Sequence, residues 1–110
     1  MTNRKTDLLQ GTLDLLVLRV LRSGRLHGYA ISKRIQLISR EVLSIQQGSL
    51  YPALHRLESR GLIESAWDTT ETGRRAKFYE ITASGRKTLK DETSQWRQFS
   101  EAVEQVLLNG

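Results

Sequence analysis

The sequence predicts an α+β fold, mostly α: three short helices, a two-stranded hairpin and a long closing helix. Three observations carry this expectation. Apolar residues recur at helical spacing in four segments, most of them bounded by a capping residue or a glycine. Between the third and fourth of these the pattern changes to alternation, in KFYEIT at 77–82. In GSLYPALHRLESRGLIES, at 48–65, a helix signal stands directly against a strand signal with Gly61 between them. The 110 residues amount to one small domain, able to bury a core of modest size.

The first helix is expected over 8–23, with Thr6 or Asp7 as its cap and Gly24 as its stop. Leu9, Leu13, Leu16, Val17, Val20 and Leu21 make one broad apolar face, and Leu8, Leu15 and Leu18 add a second. A helix apolar on most of its circumference needs burial on two sides, so the second face is a candidate subunit contact. The second helix, 27–39, turns Tyr29, Ile31, Ile35 and Ile38 inward and Lys33 and Arg34 outward, with His27 helping to begin it. A short connection over 41–47 has Leu43 and Ile45 as anchors. The third helix runs over 49–60: Ser49 is a good N-cap, Pro52 suits a first turn, and Leu50, Leu54 and Leu57 form its apolar stripe. Strands follow over 62–67 and 77–82, joined by the polar tip DTTETGRRA. Trp67 is expected to pack beneath the hairpin or in the core. The last helix covers 83–108, capped by Thr82.

Three helices and then a hairpin is the chain order of a winged helix-turn-helix, in which the third helix enters the DNA major groove and the hairpin tip follows the backbone. Residues 1–82 would form that unit, and 83–110 a closing helix within the same structure. The charge distribution agrees. Residues 1–87 carry 15 Lys and Arg against 8 Asp and Glu, a net +7, whereas 88–110 carry 2 against 4, a net −2. The basic part is the front of the chain, which suits a polyanion.

Groove reading needs a helix held by leucines on one face and showing hydrogen-bonding groups on the other. Ser49, Tyr51, His55 and Arg56 supply that second face, with Arg56 suited to guanine and Gln46 or Gln47 to adenine. The helix N-terminus offers unpaired N–H groups to a phosphate. Arg74, Arg75 and Lys77, beside Gly73 on the hairpin, suit phosphates or a narrow minor groove, and Lys33 adds a cation on the second helix. Each feature alone fits an ordinary solvated surface; their spacing along the chain is what points to DNA.

At these residues the sequence resembles the PadR family of bacterial transcriptional regulators. The matching stretches are LLQGTLDLLVLRVL with HGYAI, then GSLYPALHRLESRGLIES, GRRAKFYEIT and ASGRKTL, together nearly the whole chain. The resemblance implies a dimeric winged-helix repressor acting on nearby genes, of the smaller subgroup with one C-terminal helix. Tyr51 and Pro52 match the family's recognition helix, Gly73, Arg74 and Arg75 its wing, and Lys77 and Tyr79 the strand beyond. Ala76 departs from it, standing where Lys or Arg is the commoner residue.

In the last helix Leu89, Trp96 and Val103 stand seven apart, and Phe99 and Val106 follow three after the last two, with Leu107 and Leu108 thickening the end. Glu92 interrupts the stripe. It either folds back on the first helix of its own chain or packs across a two-fold axis on a partner's Leu8, Leu15 and Leu18. The second arrangement, which the resemblance also implies, gives a homodimer reading a pseudo-palindromic operator, with half-sites about 34–36 Å apart. Trp96 suits an interface anchor. In the small subgroup a tryptophan here can also stack on a flat aromatic or cationic effector, which makes Leu15 and Trp96 the candidate effector-binding residues.

Other classes have little in their favour. There is no cysteine, and the only histidines are His27 and His55, so no nucleophile–base pair or metal-ligand cluster is visible. No enzyme activity, metal or cofactor is expected. The start MTNRKTDLL lacks an apolar leader, and 15–21 is too short to cross a bilayer; a reducing cytoplasm is the expected location. The alternative is a winged-helix module that binds RNA or a protein partner without an effector. Aromatic platforms or a broad apolar face on the third helix would favour it.

Overall fold

In the computed structural model the backbone is described over residues 2–110 and the side chains from Gly11 onward. The order is α1 (Thr2–Arg22), β1 (Leu26–His27), α2 (Gly28–Ile38), α3 (Gln47–Ser59), β2 (Ile63–Thr69), β3 (Arg75–Ile81) and α4 (Ala83–Asn109). The three strands form one antiparallel sheet in the order β1-β3-β2. This is the winged helix-turn-helix expected, with one element that the sequence pattern did not reveal. β1 is two residues long, too short for any periodicity, and it pairs Leu26 with Tyr79 and His27 with Phe78.

The core lies where α1, α2, α3 and the base of the sheet meet. Leu13, Val17, Leu18, Val20 and Leu21 come from α1, Ile31 and Ile35 from α2, and Leu50, Ala53, Leu54 and Leu57 from α3. Leu62, Ile63, Tyr79 and Ile81 close it from the hairpin side, and Leu89 from α4. Each fully buried Leu or Ile is worth roughly 1.5–3 kcal/mol before entropy is set against it. α1 is the central helix because residues of both its apolar faces reach the core: Val17 and Leu18, adjacent in sequence, are both essentially solvent-free. Leu18, expected at a subunit contact, is therefore a core residue.

Local chemistry fixes the junctions. His27 caps α2, its Nδ1 accepting from the Ala30 N–H at 3.4 Å. The α2 stripe is narrower than expected, for Tyr29 and Ile38 are both more than half exposed. The connection after α2 is not helical. Arg40 and Glu41 sit at φ 55° and 68°, and Leu43 and Ile45 tuck partly against the core. α3 starts two residues before Ser49, on Gln46, which makes no side-chain cap. Pro52 consequently lies in the second turn, where the Gly48 carbonyl loses its i+4 donor. At the other end Gly61, at φ 74°, closes a Schellman turn: the Leu62 N–H reaches the Leu57 carbonyl and the Gly61 N–H that of Glu58, each at 3.0 Å. Thr82 ties this corner to α4. Its hydroxyl donates to the Gly61 carbonyl (2.7 Å) and accepts from the Gly85 N–H (3.0 Å).

Candidate nucleic-acid interface

α3 buries Leu50, Ala53, Leu54 and Leu57 and leaves Gln47, Ser49, Tyr51, Pro52, His55 and Ser59 exposed. At 100° per residue, Pro52, His55 and Ser59 form the centre of the outer face, with Tyr51 on one edge and Arg56 on the other. Gln46 and Gln47 are exposed at its entry.

The two edges are occupied differently. Arg56 is turned toward α1, where Nη2 lies 2.8 Å from Asp14 Oδ1 and Nε 3.4 Å from Oδ2. The Asp14 carboxylate is mostly covered, so the pair braces α3 on α1. Arg56, expected as a guanine reader, is thus engaged by Asp14 at two points, with its side chain about a third exposed.

Tyr51 leans toward α2 and the hairpin. A Cβ placed on Gly28 would lie 2.7 Å from the Tyr51 hydroxyl oxygen, so only glycine at 28 admits the ring in this position. Gly28→Ala is expected to leave the melting temperature within a few degrees of the wild type, because the far end of a flexible side chain can swing away. The same substitution should weaken duplex binding by about tenfold, since Tyr51 loses its seat. Thermal melting and a binding isotherm on one preparation check both halves.

The wing is a regular hairpin paired from Ile63↔Ile81 to Thr69↔Arg75. Its tip is held by the Thr70 N–H on the Arg74 carbonyl (2.7 Å) and the Gly73 N–H on the Thr70 carbonyl (2.9 Å), with Gly73 at φ 85°. Arg74, Arg75 and Lys77 are all exposed. Between wing and helices runs an open cleft of about 1500 Å³. Tyr51 and the three wing cations line it, together with Arg25, Tyr29, Arg34 and Trp67. Five cations face Glu71 as the one carboxylate in that lining. Lys33, Gln46, Gln47, Ser49, Pro52 and His55 lie outside the cleft lining, on the outer surfaces of α2 and α3.

Arg25, Tyr29, Arg34 and Trp67 were not singled out as site residues from the sequence. The signal for Arg25 is a contact 43 residues away: Nη2 meets Asp68 Oδ2 at 2.6 Å, and the guanidinium stands 4.5 Å above the Phe78 ring, against which His27 packs edge-on. β1 brings this about by laying residues 26 and 27 beside β3. The Arg25 hydrogen bond, then the Thr69 N–H and the Arg25 charge, hold the Asp68 carboxyl below the usual carboxylate range. Burial, followed by the charges of Glu58 and Tyr51, pushes the Tyr79 phenol up, so it stays neutral at the base of the wing. Trp67 is not beneath the hairpin. It is 59% exposed on the cleft side.

α4 is divided in its role. Gly85 and Leu89 are buried on the chain's own body, so Leu89, expected at a subunit contact, belongs to the core. Beyond it Trp96, Phe99, Val103, Val106 and Leu107 are 40–77% exposed. At 100° per residue they occupy one arc of about 100°. Leu15 is partly buried against the core, and Leu8 lies outside the residues whose side chains are described, as do Thr6 and Asp7. Among the described residues no group of three or more His, Cys, Asp or Glu could hold a metal ion, and no helix is long and apolar enough to cross a membrane.

A winged helix-turn-helix with its cations gathered between wing and helices is an architecture of transcriptional regulators. A family model for the PadR-like transcriptional regulators matches residues 17–91, and the chain belongs to that family. Among solved structures it is similar to a transcriptional regulator from Clostridium thermocellum, with 33% identity, a TM-score of 0.81 and coverage of 90% of this chain and 93% of that one. It is also similar to a PadR family transcription regulator from Clostridium difficile, with 31% identity, a TM-score of 0.74 and coverage of 86% and 97%. A Mycobacterium tuberculosis protein described as a transcriptional regulator is 36% identical over 72 residues, which are 66% of this chain and 64% of that protein.

Proposed function

We propose that this PadR-like regulator is a repressor that binds duplex DNA sequence-specifically as a homodimer. The observation that carries the reading is the shared cleft, where Tyr51 of α3 and the cations Arg25, Arg34, Arg74, Arg75 and Lys77 meet on one open surface. Phosphates supply most of the affinity of such a surface, and base edges supply its preference. Gln46, Gln47, Ser49, Pro52 and His55, on the outer part of α3 and its entry, are the groups for base edges and the nearby backbone, with Lys33 an added phosphate contact. The exposed arc of α4 serves the subunit contact, and a flat aromatic or cationic ligand stacking on Trp96 beside Leu15 would release the DNA by favouring another arrangement of the two subunits.

Salt titration on a duplex enriched from a random pool tests the DNA reading. The logarithm of the binding constant should fall steeply and linearly with the logarithm of salt concentration. Arg74→Ala and Arg75→Ala should each lower affinity on all sequences and reduce the slope by about 0.9, the signature of one lost phosphate contact. A flat salt response would remove the proposal. Equal binding to single-stranded RNA would replace it with the RNA-binding alternative.

A further inference from the structure

Trp67 is a large aromatic that the core, the reading helix and the subunit surface leave unexplained. Trp67 in β2 is 59% exposed, although a tryptophan offers about 150–250 Å² for burial. Directly across the hairpin stands Lys77, and the next pair on the same face, toward the tip, joins Thr69 to Arg75. The same sheet face carries Ile63, Tyr79 and Ile81 at its other end, all buried. The face thus begins in the core and ends in open solvent, in the cleft that Tyr51 also lines. There the Arg75 guanidinium lies 5.6 Å from the centre of the indole ring.

Charge decides what can cover this ring. Arg75 and Lys77 flank it and Arg74 lines the same cleft, so a second wing of the same chain would bring like charges together. The cover must be anionic and also offer a flat, weakly polar surface, and the sugar–phosphate backbone has both. Resting on the DNA reading above, the geometry points to Trp67 as a direct DNA contact. Its indole packs on a deoxyribose of the duplex read by α3, while Arg75 and Lys77 take the phosphates on either side. The stacked Arg75 is held ready by the ring in the free protein, so Trp67 both touches the DNA and orders a phosphate ligand.

The experiment compares the full chain with Trp67→Ala, Trp67→Phe, Arg75→Ala and the Trp67→Ala/Arg75→Ala double variant on a pool-enriched duplex at several salt concentrations. Trp67 is exposed, so each variant should melt as the parent does. Trp67→Ala should weaken binding about tenfold with the salt slope unchanged, because a sugar contact releases no counterion. Trp67→Phe should recover part of the loss, and Arg75→Ala should reduce the slope. In the Arg75→Ala background Trp67→Ala should still weaken binding. Wild-type affinity for Trp67→Ala overturns the inference. So does a Trp67 effect that disappears once Arg75 is gone, since the ring would then act only by holding the arginine. If the parent itself retains no duplex while melting cooperatively, the DNA reading fails and takes the inference with it, a result that the variants alone cannot mimic.

Discussion

Gly85→Ala is expected to destabilise the chain by about 3 kcal/mol, the upper end of the range for forcing atoms into a packed site. For a chain of this size that lowers the melting temperature by roughly 10 °C or more. A Cβ on Gly85 would lie far inside contact distance of the Leu62 carbonyl oxygen and 2.7 Å from Ile81 Cγ1. Neither neighbour can yield cheaply. The Leu62 carbonyl already accepts the Thr82 N–H at 3.0 Å, and Ile81 is a buried core residue of β3. The clash therefore falls on the corner where α3, the wing and α4 are joined, and relief requires α4 to lift from the body. Lifting α4 also exposes Leu89, 2% exposed in place. Thermal melting followed by circular dichroism measures the effect. An unshifted midpoint would mean that α4 does not pack on Leu62 by its backbone. Gly85→Ala is the sharper for its contrast with Gly28→Ala. Both glycines have a neighbour where a Cβ would go, but at Gly28 that neighbour is a tyrosine tip that can rotate, and at Gly85 it is main chain.

The difference between these glycines also shows what a sequence can and cannot disclose. The four helices and the hairpin were readable because their signals are local: leucines at helical spacing, Gly61 after α3, Thr82 before α4. Gly61 and Thr82 act as their positions imply, one by its positive φ and the other by its hydroxyl. What escaped the sequence depends on contacts between distant segments. β1 exists only because β3 lies beside it. Arg25 becomes a cleft residue through Asp68 and Phe78, and Arg56 pairs with Asp14 of α1. Helical periodicity counts Arg56 as outward because it falls outside the leucine stripe. It cannot tell that α1 carries a carboxylate at that height. Trp67 was misplaced for a related reason. A tryptophan in a strand is usually buried, and only the hairpin's length beyond the core puts residue 67 past the last apolar layer.

The other large effect concerns the far half of α4. Trp96→Asp with Val103→Asp is expected to convert a dimer to a monomer in sedimentation and to weaken binding to a pseudo-palindromic duplex by about a thousandfold. Losing one of two linked half-sites removes the gain of tethering, on the order of 10²–10⁴. The salt slope should also fall toward half, because half the phosphate contacts are gone. Leu89, Trp96 and Val103 keep one heptad spacing, but their surroundings differ. Leu89 is covered by the chain's own core, and one heptad later the body has ended, leaving Trp96 48% and Val103 40% exposed. Phe99, Val106 and Leu107 widen the arc to more apolar surface than an isolated helix would leave in water. In the dimer proposed above, Leu18 and Leu89 are spent in the core of each subunit and are not free for the contact. The partly buried Leu15 and the same arc of a second α4 are what remain for it among the described residues. An aspartate at 96 or 103 should be tolerated by the monomer, where both positions face solvent, and rejected only by a dimer. A double variant that melts as the wild type but sediments at half its mass would bear the assignment out; an unchanged mass would place the subunit contact elsewhere.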